Sequence, residues 1–248
     1  MSRPGTVHLG HHSWTEIDAR WETSTVLVPL GATEQHGPHL PLDTDTIIAQ
    51  ALCDATAAER PGLLVAPPVP YGASGEHADF PGTISIGTAA LTMMLVELGR
   101  SLLPSTRTLI FVSAHGGNSD ALVSATEVLT YEQRNAHIWT PRVAFDDLHA
   151  GRTETSLMLH LAPGSVRMSA AVDMPIADDP TNMALLRSEG VATLSPSGVL
   201  GTPSQASAEH GRVLFETLVA DLGDFLDRIS RNVDARLASL GTIEGEIS

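Results

Sequence analysis

Two short polar stretches hold most of the side chains in this chain that could bind a metal ion. The first is Glu34-Gln35-His36-Gly37-Pro38-His39, running on through Asp43 and Thr44 to Asp45. The second is Ser113-Ala114-His115-Gly116-Gly117-Asn118. Glu34 and His36 are two residues apart, so in an extended chain both emerge on one side and can address one metal pair. Asp45 falls where a helix is expected to begin, a position that also suits a carboxylate with no ligand role. His115 is followed by two glycines, which let the backbone pass close to a bound group. Imidazole and carboxylate donors together suit Zn, Mn or Fe. The single cysteine, Cys53, excludes a thiolate cluster and an intrachain disulfide.

A third stretch, His149-Ala150-Gly151-Arg152-Thr153-Glu154, offers a carboxylate that could complete a metal pair and a histidine that could carry a proton. The same residues also read as a plain helix start, with Thr153 as cap and Glu154 in the first turn. Tyr71 to Thr83, with Glu76 and His77, reads equally as a pocket wall or a structural loop. His8, His11, His12, His137, His160 and His210 read as surface or packing histidines, and Cys53 as core. No G-x-S-x-G elbow, Walker A loop or H-E-x-x-H pair is present.

The first two stretches each follow an apolar run, Thr25–Leu30 and Thr108–Ser113, of the length and composition of buried strands. Leu63 to Ala66 and His137 to Val143 are expected as further strands. Helices are expected over about 45–59, with Thr44 as N-cap, and over 88–103, 119–134, 154–161 and 208–229. Strand and helix alternate, which predicts an α/β fold: one domain over 1–248, with a mostly parallel sheet flanked by helices on both faces. Residues 1–24 and 240–248 are expected to be peripheral. In such a sheet, ligands bind beyond the carboxyl ends of the strands, where both polar stretches lie.

The sequence carries 29 acidic residues against 14 basic, a net charge of −15, so a nucleic-acid backbone would be repelled. Aromatics make up 4 %, too few for a base-stacking surface. The N-terminal stretch has no signal-type apolar segment, and no apolar run reaches membrane-spanning length. A cytoplasmic protein with neither a nucleic-acid nor a membrane partner is expected.

Taken together, these stretches resemble the creatininase (creatinine amidohydrolase) family. The resemblance runs in order through 31–45, 71–83, 113–118, 149–163 and 198–208, and the stretch from Glu34 to Asp45 is long and specific. It implies an amide hydrolase with two divalent ions, Zn, Fe or Mn. Glu34, His36, Asp45 and His115 would be ligands, Asp45 bridging, with His149 as catalytic proton carrier. In creatininase itself an acid two residues after the second-loop histidine completes the second metal; here that position is Gly117. Family members with a His-Gly-Gly-Asn loop point instead to Glu154. The departure argues against creatinine as substrate. The wording is most similar to the branch that cuts a modified precursor peptide, releasing its modified C-terminal Val-Tyr unit. A cyclic amide or formamide substrate, or a non-catalytic metal-binding assembly subunit, are the alternatives. The resemblance also implies a homo-oligomer.

Overall fold

The computed structural model describes residues 6–18, 20–102, 108–141, 147–177 and 179–245. Four strands form its sheet: β1 (Thr25–Leu30), β2 (Leu63–Val65), β3 (Thr108–Ser113) and β4 (Ala136–Trp139). Every ladder between them is parallel, in the order β2-β1-β3-β4. The helices are α1 (Trp14–Asp18), α2 (Thr44–Ala58), α3 (Gly87–Leu102), α4 (Ser119–Tyr131), α5 (Arg152–Leu161), α6 (Pro180–Glu189), α7 (Val191–Leu194) and α8 (Ala208–Gly245). The expected α/β class, with a parallel sheet and helices on both faces, is what the chain adopts.

The strands read as continuous apolar runs because both faces of the sheet are covered. Val26, Val28 and Leu30 of β1 share one face with Leu109 and Phe111 of β3, under Leu91 and Leu95 of α3 and Leu122 and Leu129 of α4. Leu27, Ile110 and Val112 point the other way, onto Ile48 and Leu52 of α2, Leu157 of α5 and Leu218 and Leu222 of α8. Trp139 is buried at the end of β4, and its indole N–H donates to Asp221 on α8 at 2.9 Å. That bond satisfies the one polar atom such a ring carries. The N-terminal segment joins the sheet edge, where Val65 N–H donates to the Val7 carbonyl at 2.8 Å.

Several local expectations need correction. Thr44 is inside α2 and Asp43 is the N-cap; the Thr44 hydroxyl donates instead to the Pro41 carbonyl at 2.7 Å. Thr153 is likewise inside α5, which Gly151 caps without a side chain. The last helix continues to Gly245, well past residue 229. The strand expected to reach Val143 ends at Trp139; residues 142–146 lie outside the described residues, as do Leu103 and residues 246–248.

With this strand order the chain leaves β1 towards β2 and later returns to the other side of β1 with β3. That reversal opens a crevice at the carboxyl ends of β1 and β3, where α/β sheets bind their ligands.

Candidate metal centre

The loop after β1 carries Glu34 and His36 into this crevice, and the loop after β3 carries His115. Asp45 enters from the first turn of α2, Glu154 from the first turn of α5, and His149 from the turn before α5. Asn118 ties the loops together: its Oδ1 accepts from Ala73 N–H at 2.9 Å, and its Nδ2 donates to the Gly31 carbonyl at 3.0 Å.

All six residues singled out from the sequence converge. Glu34, His36 and Asp45 are at most 1 % exposed, and His115 and His149 are buried. His36 Nε2 lies 3.1 Å from Asp45 Oδ1 and 3.9 Å from Glu154 Oε2. His115 Nε2 lies 3.1 Å from Glu34 Oε2, and its Nδ1 is 3.4 Å from Asp45 Oδ2. His149 Nδ1 is 3.9 Å from Glu34 Oε1. Three groups could each hold an ion: Glu34, Asp45 and His115; His36, Asp45 and Glu154; and Glu34, His36 and His149. The first two share Asp45. The third puts His149 within reach of a ligand role as well as the proton-carrying role the resemblance implies.

The charges balance without a ligand only through imidazolium–carboxylate pairing. Burial alone would lower the His36 imidazole, but Asp45, with Glu154 and Glu34, pushes it up to about 10. His115 is also held at about 10, where Glu34, Asp45 and Glu76 outweigh burial. Burial would raise the Glu34 carboxyl, yet His115, His77 and His36 hold it well below the usual carboxylate range. Burial lifts Glu154 to about 7, with His36 opposing and Asp45 reinforcing. His149 is driven well below its ordinary value by burial and by His36 and His77, so it is neutral.

Even so paired, both Glu34 oxygens and Asp45 Oδ2 are buried with no hydrogen bond completed to them. A buried carboxylate oxygen left in that state is costly. Divalent ions coordinated by these oxygens and by neutral imidazoles would remove the cost, so the donor set fits a metal.

The structure also brings in residues the sequence left undecided. His77 is buried, its Nε2 3.3 Å from Glu34 Oε1, which settles the 71–83 loop as part of the site wall. Gln35, between two candidate ligands, is buried and bonds to His77 and to the Gly198 carbonyl. Strand-like alternation points Gln35 away from Glu34 and His36, so it gave no signal, whereas His77 stood in the loop that read equally as pocket wall or structural loop. Glu76 lies 3.9 Å from His115 Nε2 but joins none of the three groups. A Cβ built on Gly117 would run into the Ala73 carbonyl, the Glu76 carboxylate and His115 Nε2, so a side chain there needs that wall to move. Cys53 is in the core, its thiol raised by burial. His8, His11, His12, His137, His160 and His210 take no part in the groups.

Comparison with known proteins bears on this cluster. The family model described as creatinine amidohydrolase matches residues 10–226. A protein of Mycolicibacterium smegmatis (strain ATCC 700084 / mc(2)155) named mycofactocin precursor peptide peptidase is 50 % identical over 210 residues, which are 82 % of this chain and 84 % of that protein. A solved structure described as "Creatininase Mn" superposes with a TM-score of 0.77 at 29 % identity, covering 90 % of this chain and 98 % of that one. A mutant creatininase described as Zn-Zn type superposes with a TM-score of 0.76, at the same identity and coverage.

Proposed function

The chain belongs to the creatininase family and is a hydrolase of C–N amide bonds; from that premise we propose that it is a two-metal peptidase acting on the mycofactocin precursor peptide. The scissile bond in this reading is the amide that joins a modified C-terminal Val-Tyr unit to the rest of the peptide. One observation carries it: two three-residue groups, buried except for the partly exposed Glu154, meet at Asp45, whose Oδ2, like both Glu34 oxygens, has no completed hydrogen bond. Glu34, Asp45 and His115 would hold one divalent ion, and His36, Asp45 and Glu154 the other. Zn and Mn are the metals named for structural relatives, and Fe suits the same donors.

Ions so held supply Lewis acidity, bringing the pKa of a water towards about 7 and polarising the amide carbonyl. The rest falls to side chains. His149 is neutral and turns Nδ1 towards Glu34, so it can take a proton from the attacking water and pass it to the leaving nitrogen. Water adds to the carbonyl carbon, the C–N bond breaks, and the products are a carboxylate and an amine. The crowding at Gly117 supports Glu154 rather than a residue-117 side chain as the last ligand. A homo-oligomer working in the cytoplasm is part of the same reading.

The test is to incubate metal-loaded protein with the modified precursor peptide, with creatinine and a formylated heterocycle in parallel, and follow products by mass spectrometry. Cleavage of the peptide alone, abolished by a chelator and restored by added metal, is expected. Turnover of creatinine or the formamide instead, or full peptidase activity in metal-free protein, overturns the reading.

A further inference from the structure

Gln35 lies between two proposed ligands but is in none of the three ligand groups; its side-chain amide bonds to Gly37, Gly198 and His77, and its backbone carbonyl to His149. Its side-chain orientation is fixed by groups of unambiguous character. Oε1 accepts from Gly37 N–H at 2.9 Å, and Nε2 donates to the Gly198 carbonyl at 3.0 Å. Gly198 adopts a φ of +80°, and a Cβ there would overlap the Gln35 amide, so only glycine allows this approach. The second Nε2 hydrogen goes to His77 Nδ1 at 2.8 Å. His77 Nδ1 must therefore accept, which leaves the proton on Nε2, the nitrogen facing Glu34 Oε1.

His149 is oriented by the Gln35 backbone. Its Nε2 lies 2.8 Å from the Gln35 carbonyl, which can only accept, so Nε2 carries the hydrogen. The same Nε2 is 3.1 Å from the Gln35 amide nitrogen, but both hydrogens of that nitrogen are already committed. Nδ1 of His149, with its lone pair, is then the atom turned towards Glu34 Oε1. The two rings lie 4.5 Å apart, centroid to centroid.

We propose that Gln35 is a positioning residue that holds both histidines in the Nε2–H tautomer but with opposite ends towards the metal cluster. His149 presents a proton acceptor and His77 a hydrogen-bond donor. No completed hydrogen bond joins His77 to Glu34, so that N–H is available to an oxygen of the substrate or the attacking water. The catalytic consequence rests on the hydrolase reading above; the tautomer assignment does not.

Long-range ¹H–¹⁵N spectra of ¹⁵N-histidine-labelled, Zn-loaded protein test the assignment without any variant. Both His77 and His149 are expected as single tautomers protonated at Nε2. A proton on Nδ1 of His77, or averaging between its two nitrogens, overturns the proposal whether or not the peptide is cleaved. In Gln35→Met, His77 is expected to average between tautomers and kcat to fall about 10²-fold, the cost of a misplaced catalytic group, with KM and metal content unchanged. His77→Gln, which keeps an N–H near the same place, is expected to retain much more kcat than His77→Ala. Equal losses in those two variants, or an unaltered His77 pattern in Gln35→Met, count against the proposal.

Discussion

The two groups that meet at Asp45 are built from different parts of the fold. Glu34 and His115 come from the ends of adjacent central strands, in loops clasped by Asn118, and both are buried. The other group takes His36 from the β1 loop but Glu154 from α5, a helix packed mainly on α8. The Glu154 side chain is 22 % exposed, and its Oε2 also accepts from Ala150 N–H at 2.6 Å. A bond of 2.9 Å between buried His39 and Thr155 links α5 to the His36 loop. The first group therefore rests on the central strand ends and the start of α2, whereas the second exists only while α5 is also docked. The difference teaches that the second position is the adjustable one: a different acid can supply it without rebuilding the sheet.

The largest effect should come from the residue both groups share. Asp45→Ala is expected to lose both ions and all measurable turnover, read by elemental analysis and peptide assay; retention of both ions would reduce Asp45 to a helix-terminus charge. Next in size, His149→Ala should keep its metal and lose about 10²–10⁴ in kcat, the usual worth of a positioned acid–base group. If that variant is instead stripped of metal, His149 belongs to the third ligand group and not to proton transfer.

Proton linkage separates the groups further. Without metal, His36 and His115 are raised from 6.5 to about 10, so their contribution to stability is full below pH 6.5 and is lost as pH rises through 10. Glu154, raised from 4.5 to about 7, loses its contribution earlier, between those values. Metal takes the place of these protons, so the gap in Tm between loaded and metal-free protein should widen from pH 6.5 to 10. Calorimetry in buffers of different ionisation enthalpy should record protons released on metal binding, with a Glu154 contribution that fades above pH 7. A constant Tm gap would mean the imidazoles are not ligands. The smallest expected effect is that of Asn118→Ala, which strands the Ala73 N–H and the Gly31 carbonyl. About 1–3 kcal/mol of stability per unpaired buried group is at stake, and the ion at Glu34 and His115 should loosen before the other.

The same contrast explains what could be read from the chain. The sheet-borne part was legible: near-continuous apolar runs marked β1 and β3, and the polar residues directly after them had to lie at the strand ends. Helix starts were less so, because Thr44 and Thr153 both look like caps while Asp43 and Gly151 occupy those positions. For Glu154 the alternatives of helix terminus and ligand are not exclusive, since its carboxylate both bonds the Ala150 N–H and faces His36. Gln35 was illegible, and His77 could be read only as part of an undecided loop, because their roles are relations between distant loops. Only folding brings the amide of one against the ring of the other.

The account turns on Glu154, the ligand that the resemblance could supply only by departing from creatininase. Elemental analysis of Glu154→Gln beside the unaltered protein tests it most directly. Two ions per chain in the unaltered protein and one in the variant, with the fold and the ion at Glu34, Asp45 and His115 intact, is the predicted result. Two ions in both, with the variant merely melting earlier by the roughly 0.3–1 kcal/mol of a helix-terminus charge, would contradict it.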